Sequence, residues 1–195
     1  MAKALVLLTL FHLVAFWRWY TAPDTLAAGE WLEQGFTSWR LCGRQGWRVH
    51  DPYYYPNFTA LPFLSSFYPP HRFSAWLTRS WSVDRAWRIF LGTMAAHFWL
   101  CSIAAYILLL QPPLALTPWA AGFVALTLSH TGYALKPCAS IIYTTAWIPI
   151  WLLAMHSHTW GLSGLSLGMM LLAGYWPIAL PAIGVGCLSW WLSSS

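Results

Sequence analysis

The sequence predicts an all-α polytopic membrane protein, with about six transmembrane helices and two interfacial amphipathic helices in the first loop. Of its 195 residues, 58% are hydrophobic and only 8% are charged, and the mean hydropathy is +0.53. A soluble domain usually carries about 25% charged residues. All five acids precede Arg88, and Lys136 is the one formally charged side chain after it. So long a stretch with one charge cannot cover a water-facing surface, so it must face lipid or protein.

Six apolar segments account for the predicted spans, because a spanning helix needs about 20 mainly apolar residues. The N-terminal run has no small-residue cleavage site before Arg18, so we interpret it as an uncleaved first span. Proline and glycine mark the ends of the later segments, and Gly174-Tyr175-Trp176-Pro177 divides the last one. The predicted spans of this single membrane domain, residues 1–195, are residues 3–20, 83–110, 114–135, 139–155, 162–174 and 177–192.

The loop over residues 21–82 predicts two helices lying on the membrane surface. Residues 24–41 place leucine, tryptophan and phenylalanine at helical spacing, with charged residues between them. Pro69-Pro70 opens the second helix. Its apolar side is formed by Phe73, Trp76, Leu77 and Trp81.

Charge and cysteine content narrow the function classes. The formal net charge is +5, but the arginines are spread singly among aromatic residues rather than in a basic run. This pattern, with 16 tryptophans, favours the lipid bilayer as partner and does not predict nucleic-acid binding. The four cysteines have no CxxC spacing, so we expect no metal site and no cofactor from them.

Asp51 is the candidate catalytic residue. It lies in the irregular part of the first loop, after His50 and near Arg44 and Arg48. A carboxylate at a membrane boundary could remove a proton from an acceptor hydroxyl while cations hold a lipid phosphate. The alternative is a structural ion pair between Asp51 and Arg44 or Arg48.

Counting the spans places three further candidates on the same side of the membrane as Asp51: Arg72, Lys136 and Tyr175. A lysine alone in an apolar region could bind a phosphate or carboxylate head group, or could simply extend to the interface. Lys3 places the amino terminus in the cytoplasm, whereas the arginines of the first loop favour the reverse orientation. Orientation is left open by charge alone.

The histidines support a different hypothesis. His12, His97 and His130 lie in or near predicted spans, where a histidine could ligate haem or a pigment. The alternative for each is a polar contact between helices. The rival function class is therefore a non-catalytic small membrane subunit or scaffold, with protein partners in a membrane complex.

The order of these parts resembles large bacterial GT-C-type membrane glycosyltransferases, in particular the YfhO-like group. The first loop resembles that of the group, as do the turn and helix around the fourth span. The turn ending in Pro177 is similar to its Leu-Ala-Gly-His-Pro turn, with Tyr175 in the histidine position and one residue inserted before the proline. The matching stretches are residues 50–57, 61–64, 67–70, 132–149 and 172–177.

The resemblance implies transfer of a sugar from a polyprenyl-phosphate donor, with the first-loop acid, Asp51, as base. Arg44, Arg48, His50, Arg72, Lys136 and Tyr175 are then the candidates for substrate binding. It also implies a bacterial inner-membrane protein whose first loop is periplasmic. Family members are far longer and carry more spans, so this chain is expected to be a truncated copy, an N-terminal fragment or a small relative.

Overall fold

A computed structural model describes residues 2–21, 36–45, 67–130 and 139–194. All regular structure in these ranges is helical, which confirms the all-α class. The helices are α1 (Ala2–Ala15), α2 (Trp17–Thr21), α3 (Thr37–Gln45), α4 (Pro69–Leu77), α5 (Val83–Leu109), α6 (Pro118–Ser129), α7 (Ala139–His156), α8 (Trp160–Leu172) and α9 (Trp176–Ser194).

Helix α5 is the centre of the molecule. Helices α1, α2, α4, α6 and α7 pack against it, and α7 in turn carries α8 and α9. Ser82 stands at the N-cap of α5 without a side-chain capping bond, and Asp84 lies in the first turn. A carboxylate there complements the positive end of the helix dipole.

Two of the predicted spans differ from the structure. The first was expected to be continuous over residues 3–20, but α1 ends at Ala15 and α2 begins at Trp17. At the break the Trp19 N–H bonds the Phe16 carbonyl, three residues back, instead of continuing the α-helical pattern. The third was expected to begin at residue 114, but α6 begins at Pro118, because Thr117 caps it and proline suits the first helical position.

The later helices lie close to their predicted positions. Pro149 lies inside α7 and cannot donate to the carbonyl of Thr145, four residues earlier. The Cys101 thiol of α5 lies 3.8 Å from that carbonyl and donates to it. The break between α8 and α9 has Gly174 at φ 87°, and the Tyr175 N–H donates to Thr144 Oγ1 of α7 over 3.2 Å. The final hairpin is therefore fixed to α7 at its turn.

Helices α3 and α4 form a close pair over the start of α5. A side chain at Gly43 would collide with the backbone carbonyl of Ala75, so only glycine permits this approach. The Trp39 indole N–H donates to Ser74 Oγ over 3.0 Å, and both side chains are buried. The predicted first-loop helix over residues 24–41 lies mostly outside the described residues.

Helix α4 turns its small and polar side inward. His71, Ser74 and Ala75 are buried, whereas Phe73 and Trp76 are 64% and 51% exposed. The helix ends at Leu77, so Trp81, predicted to share its apolar face, lies in the turn before α5.

By length and apolar composition, α5 is the one helix among the described residues that could cross a membrane, and more than half of that segment is buried. The core helix of a soluble protein passes the same test. The other long helices are apolar but shorter where their side chains are described. The count of six spans stays a prediction.

Candidate functional site

Most of the predicted site lies outside the described residues: Asp51, Arg48, His50 and Lys136. Arg44 is exposed in the last turn of α3, and Arg72 is half-buried on α4. Tyr175 is half-buried in the turn between α8 and α9.

One end of the helical bundle brings the elements that carry Arg44, Arg72 and Tyr175 together. A single buried cluster contains residues of α3, α4, α5 and α7 together with Ala173, which directly precedes the α8–α9 turn. Within it, the ring of Tyr143 on α7 lies 5.7 Å from the ring of His71 on α4, centre to centre. The next residue, Thr144, holds the Tyr175 backbone. The two interfacial helices of the first loop and the distant hairpin thus meet at the start of α7.

Tyr68 is the centre of a buried hydrogen-bond chain at this end. It directly precedes α4 and is fully buried. Its hydroxyl lies 2.5 Å from His97 Nε2 and accepts the Trp147 indole N–H over 2.6 Å. His97 Nδ1 lies 2.6 Å from the Thr93 carbonyl, to which it must donate. The Nε2 atom is therefore the acceptor, and the Tyr68 O–H donates to it.

This assignment decides the predicted role of His97 as a haem or pigment ligand. Both of its ring nitrogens are occupied by hydrogen bonds, so in this arrangement it has no lone pair for a metal. The bland alternative, a polar contact between helices, describes His97 better. Burial raises the pKa of the Tyr68 phenol, which therefore stays protonated and able to donate.

Two atoms of the same cluster have no partner in the described part of the chain: His71 Nδ1 and the Tyr143 hydroxyl. His71 is buried, and its desolvation, with a smaller contribution from His97, lowers its pKa to about 3. It is neutral at physiological pH. The neutral ring and the phenol could act only as hydrogen-bonding groups here.

A second polar chain links α1, α5 and α6. His12 Nε2 lies 2.8 Å from Ser102 Oγ, and Ser102 donates to Ser129 Oγ over 2.5 Å. Ser129 Oγ lies 2.8 Å from Nδ1 of His130, the residue that ends α6. The rings of His12 and His130 are 4.9 Å apart, centre to centre, with their planes tilted by 32°.

Phenylalanine rings enclose this second chain. Phe16 stacks on both histidines, at 5.7 Å from each, and Phe98 stacks on His130 at 5.6 Å. Within the described residues, His12 Nδ1 and His130 Nε2 have no hydrogen-bond partner. Unlike His97, these two histidines each keep one open nitrogen.

Sequence reasoning named the three histidines but not their partners. Tyr68, Trp147, Ser102 and Ser129 carry no signal in the sequence, because each looks like an ordinary residue of an apolar helix or loop. His12 and Ser102 are 90 positions apart, and only the packing of α1 on α5 brings them into contact. Comparisons with protein-family models, curated proteins and solved structures gave no match to this chain.

Proposed function

We propose that the chain is a polytopic membrane protein that transfers a sugar from a polyprenyl-phosphate donor, as a GT-C-like glycosyltransferase. The observation that supports this best is the meeting of α3, α4, the start of α7 and the α8–α9 turn at one end of the bundle. These elements carry or adjoin the cationic and tyrosine candidates Arg44, Arg72 and Tyr175. Lys136 precedes α7 by three residues in sequence.

The distribution of exposed apolar side chains supports the membrane setting. Val14 on α1 is 76% exposed, and Trp119 and Phe123 on α6 are 81% and 73% exposed. Large apolar side chains are also exposed on α8 and α9. Exposed apolar surface on this scale needs a covering, and lipid provides one for every outer helix at once. Localisation in a bacterial inner membrane, with the first loop periplasmic, completes the proposal.

In this mechanism Asp51 acts as the base and the cations hold the donor phosphate. The carboxylate must come within about 3 Å of the acceptor hydroxyl to take its proton. Arginine and lysine neutralise the negative charge that grows on the departing lipid phosphate. Arg44 is exposed on α3 and so can reach a ligand without first leaving the core.

Asp51→Asn tests the proposal, because it keeps the shape of the side chain and removes its basicity. We expect transfer from a polyprenyl-phosphate-linked sugar in proteoliposomes to fall at least about 100-fold. Asp84→Asn is the matched control, since Asp84 is an exposed acid at the start of α5 and should leave transfer unchanged. Equal transfer by the wild type and Asp51→Asn, with the same helical circular dichroism, would refute Asp51 as base.

A non-catalytic membrane subunit is the second candidate, favoured by the open nitrogens of His12 and His130. If the subunit carries haem or a pigment, the purified protein should absorb visible light, and His12→Gln or His130→Gln should remove the band. A colourless preparation that transfers sugar would favour the enzyme instead.

A further inference from the structure

The pair of imidazoles between α1 and α6 has the composition of a small metal site. We propose that His12 and His130 bind one copper(I) ion through His12 Nδ1 and His130 Nε2. This inference does not depend on the glycosyltransferase proposal, because it concerns other residues and another part of the bundle.

The hydrogen bonds show which form each ring takes. Ser102 gives its proton to Ser129, so it must accept from His12 Nε2–H, and His12 Nδ1 is left with a free lone pair. His130 Nδ1 lies 2.9 Å from the Leu126 carbonyl, which can only accept. His130 Nδ1 therefore carries the proton, and Nε2 has the free lone pair. Both open atoms are in the form that a metal requires.

The serines fix the rings as second-shell groups usually do. A metal-binding histidine almost always donates its other N–H to a fixed acceptor, which sets the tautomer and the ring orientation. Here Ser102 serves His12, and the Leu126 carbonyl with Ser129 serves His130. An ordinary pair of core histidines would be expected to satisfy all its nitrogens.

The ring separation defines the geometry of the site. An imidazole nitrogen lies about 2.0–2.1 Å from its metal, which places the ring centre about 3 Å from the metal. Two rings on opposite sides of one metal would be about 6 Å apart. The observed 4.9 Å corresponds to a nitrogen–metal–nitrogen angle of roughly 105°. The pair therefore fits a bent site with further positions open, and it does not fit the two axial ligands of a haem.

Charge selects a monovalent ion. His12 is 4% exposed and the pair is lined by Phe11, Phe16 and Phe98. Asp84, the one acid among the described residues, is exposed at the far end of α5. The cost of taking an ion out of water rises with the square of its charge, so two neutral imidazoles without a carboxylate favour copper(I) over zinc(II).

The number of protein ligands also fits. No group of three or more histidine, cysteine or acidic residues able to hold a metal occurs in the described ranges. A structural zinc site normally has four protein ligands. Two nitrogens leave room for an external ligand on a copper(I) ion.

The test is copper(I) binding by the full-length protein in detergent, stripped of metal and kept reduced with ascorbate. We expect one copper(I) per chain in competition with a chromogenic chelator, and X-ray absorption showing about two imidazole nitrogens and no sulfur. The sulfur result matters because Cys42, Cys101 and Cys187 are free thiols. This measurement on the wild type needs no variant to fold.

Variants locate the ion. His12→Gln and His130→Gln should each weaken binding at least about tenfold, and Ser102→Ala should weaken it by a similar factor through loss of ring orientation. His158→Gln, an exposed histidine in the α7–α8 turn, should bind as the wild type does. Sulfur ligands, tighter binding of zinc(II) than of copper(I), no retained copper, or equal binding by the wild type and both pair variants would each overturn the proposal.

Discussion

The two buried hydrogen-bond chains differ at their ends. The Tyr68–His97 chain begins at an indole N–H and finishes at the Thr93 carbonyl, so each of its members is fully bonded. The chain from His12 to His130 has an open nitrogen on the ring at each end. Both contain histidine in an apolar core, yet one uses its histidine to fix helix packing and the other keeps lone pairs available. A histidine in a helical core is informative only when both of its nitrogens are accounted for.

Removing the Tyr68 hydroxyl should have the largest effect on stability. Tyr68→Phe leaves the Trp147 N–H and His97 Nε2 without partners, and each unsatisfied buried group costs about 1–3 kcal/mol. We expect the free energy of unfolding in detergent to fall by about 3 kcal/mol. Tyr143→Phe is the control in the same cluster, because the Tyr143 hydroxyl has no partner to lose. Equal losses in the two variants would contradict the closed chain.

Acid should be the next strongest way to separate the two regions. The pKa of His71 is lowered from 6.5 to about 3 by burial first and by His97 second, and Tyr68 and Tyr143 also face it. Below about pH 6.5 the unfolded chain binds a proton that the folded chain excludes. Stability is therefore complete above that pH and declines as the pH falls towards 3.

Thermal unfolding at pH 7 and pH 4.5 measures this decline. The midpoint of the wild type should drop more than that of His71→Gln, which has no imidazole at this position. The same drop in both would mean that His71 is not the group whose protonation destabilises the α4 packing.

These regions also show what the sequence could establish. Apolar runs bounded by proline and glycine predicted the all-helical class and the positions of α5, α7, α8 and α9, because those signals are local. The break at Phe16 has no such signal. The inward face of α4 was also hidden, since the close approach at Gly43 depends on a backbone carbonyl over 30 positions away. Pairing of His12 with His130 depends on how three helices pack and leaves no periodic trace.

Ser102→Ala should have a smaller effect on stability than Tyr68→Phe. The substitution removes the acceptor of His12 Nε2 and the donor to Ser129, which has the Leu126 carbonyl as a second partner. We expect a loss of about 1–2 kcal/mol. Ser166→Ala is the control, because that buried hydroxyl bonds only carbonyls of its own helix. A loss as large as that of Tyr68→Phe would mean that the open chain is as much a packing element as the closed one.

The smallest expected effect lies between the two chains, where Cys101 donates to the Thr145 carbonyl. If that weak bond compensates for the N–H that Pro149 lacks, Pro149→Ala should supply a helical donor and make the thiol redundant. In a double-mutant cycle, Cys101→Ala should then cost about 0.5 kcal/mol less in the Pro149→Ala background than in the wild type. The packing loss of the sulfur is the same in both backgrounds and cancels, so only the bond to the carbonyl remains. A coupling energy of zero would show that Cys101 only fills space between α5 and α7.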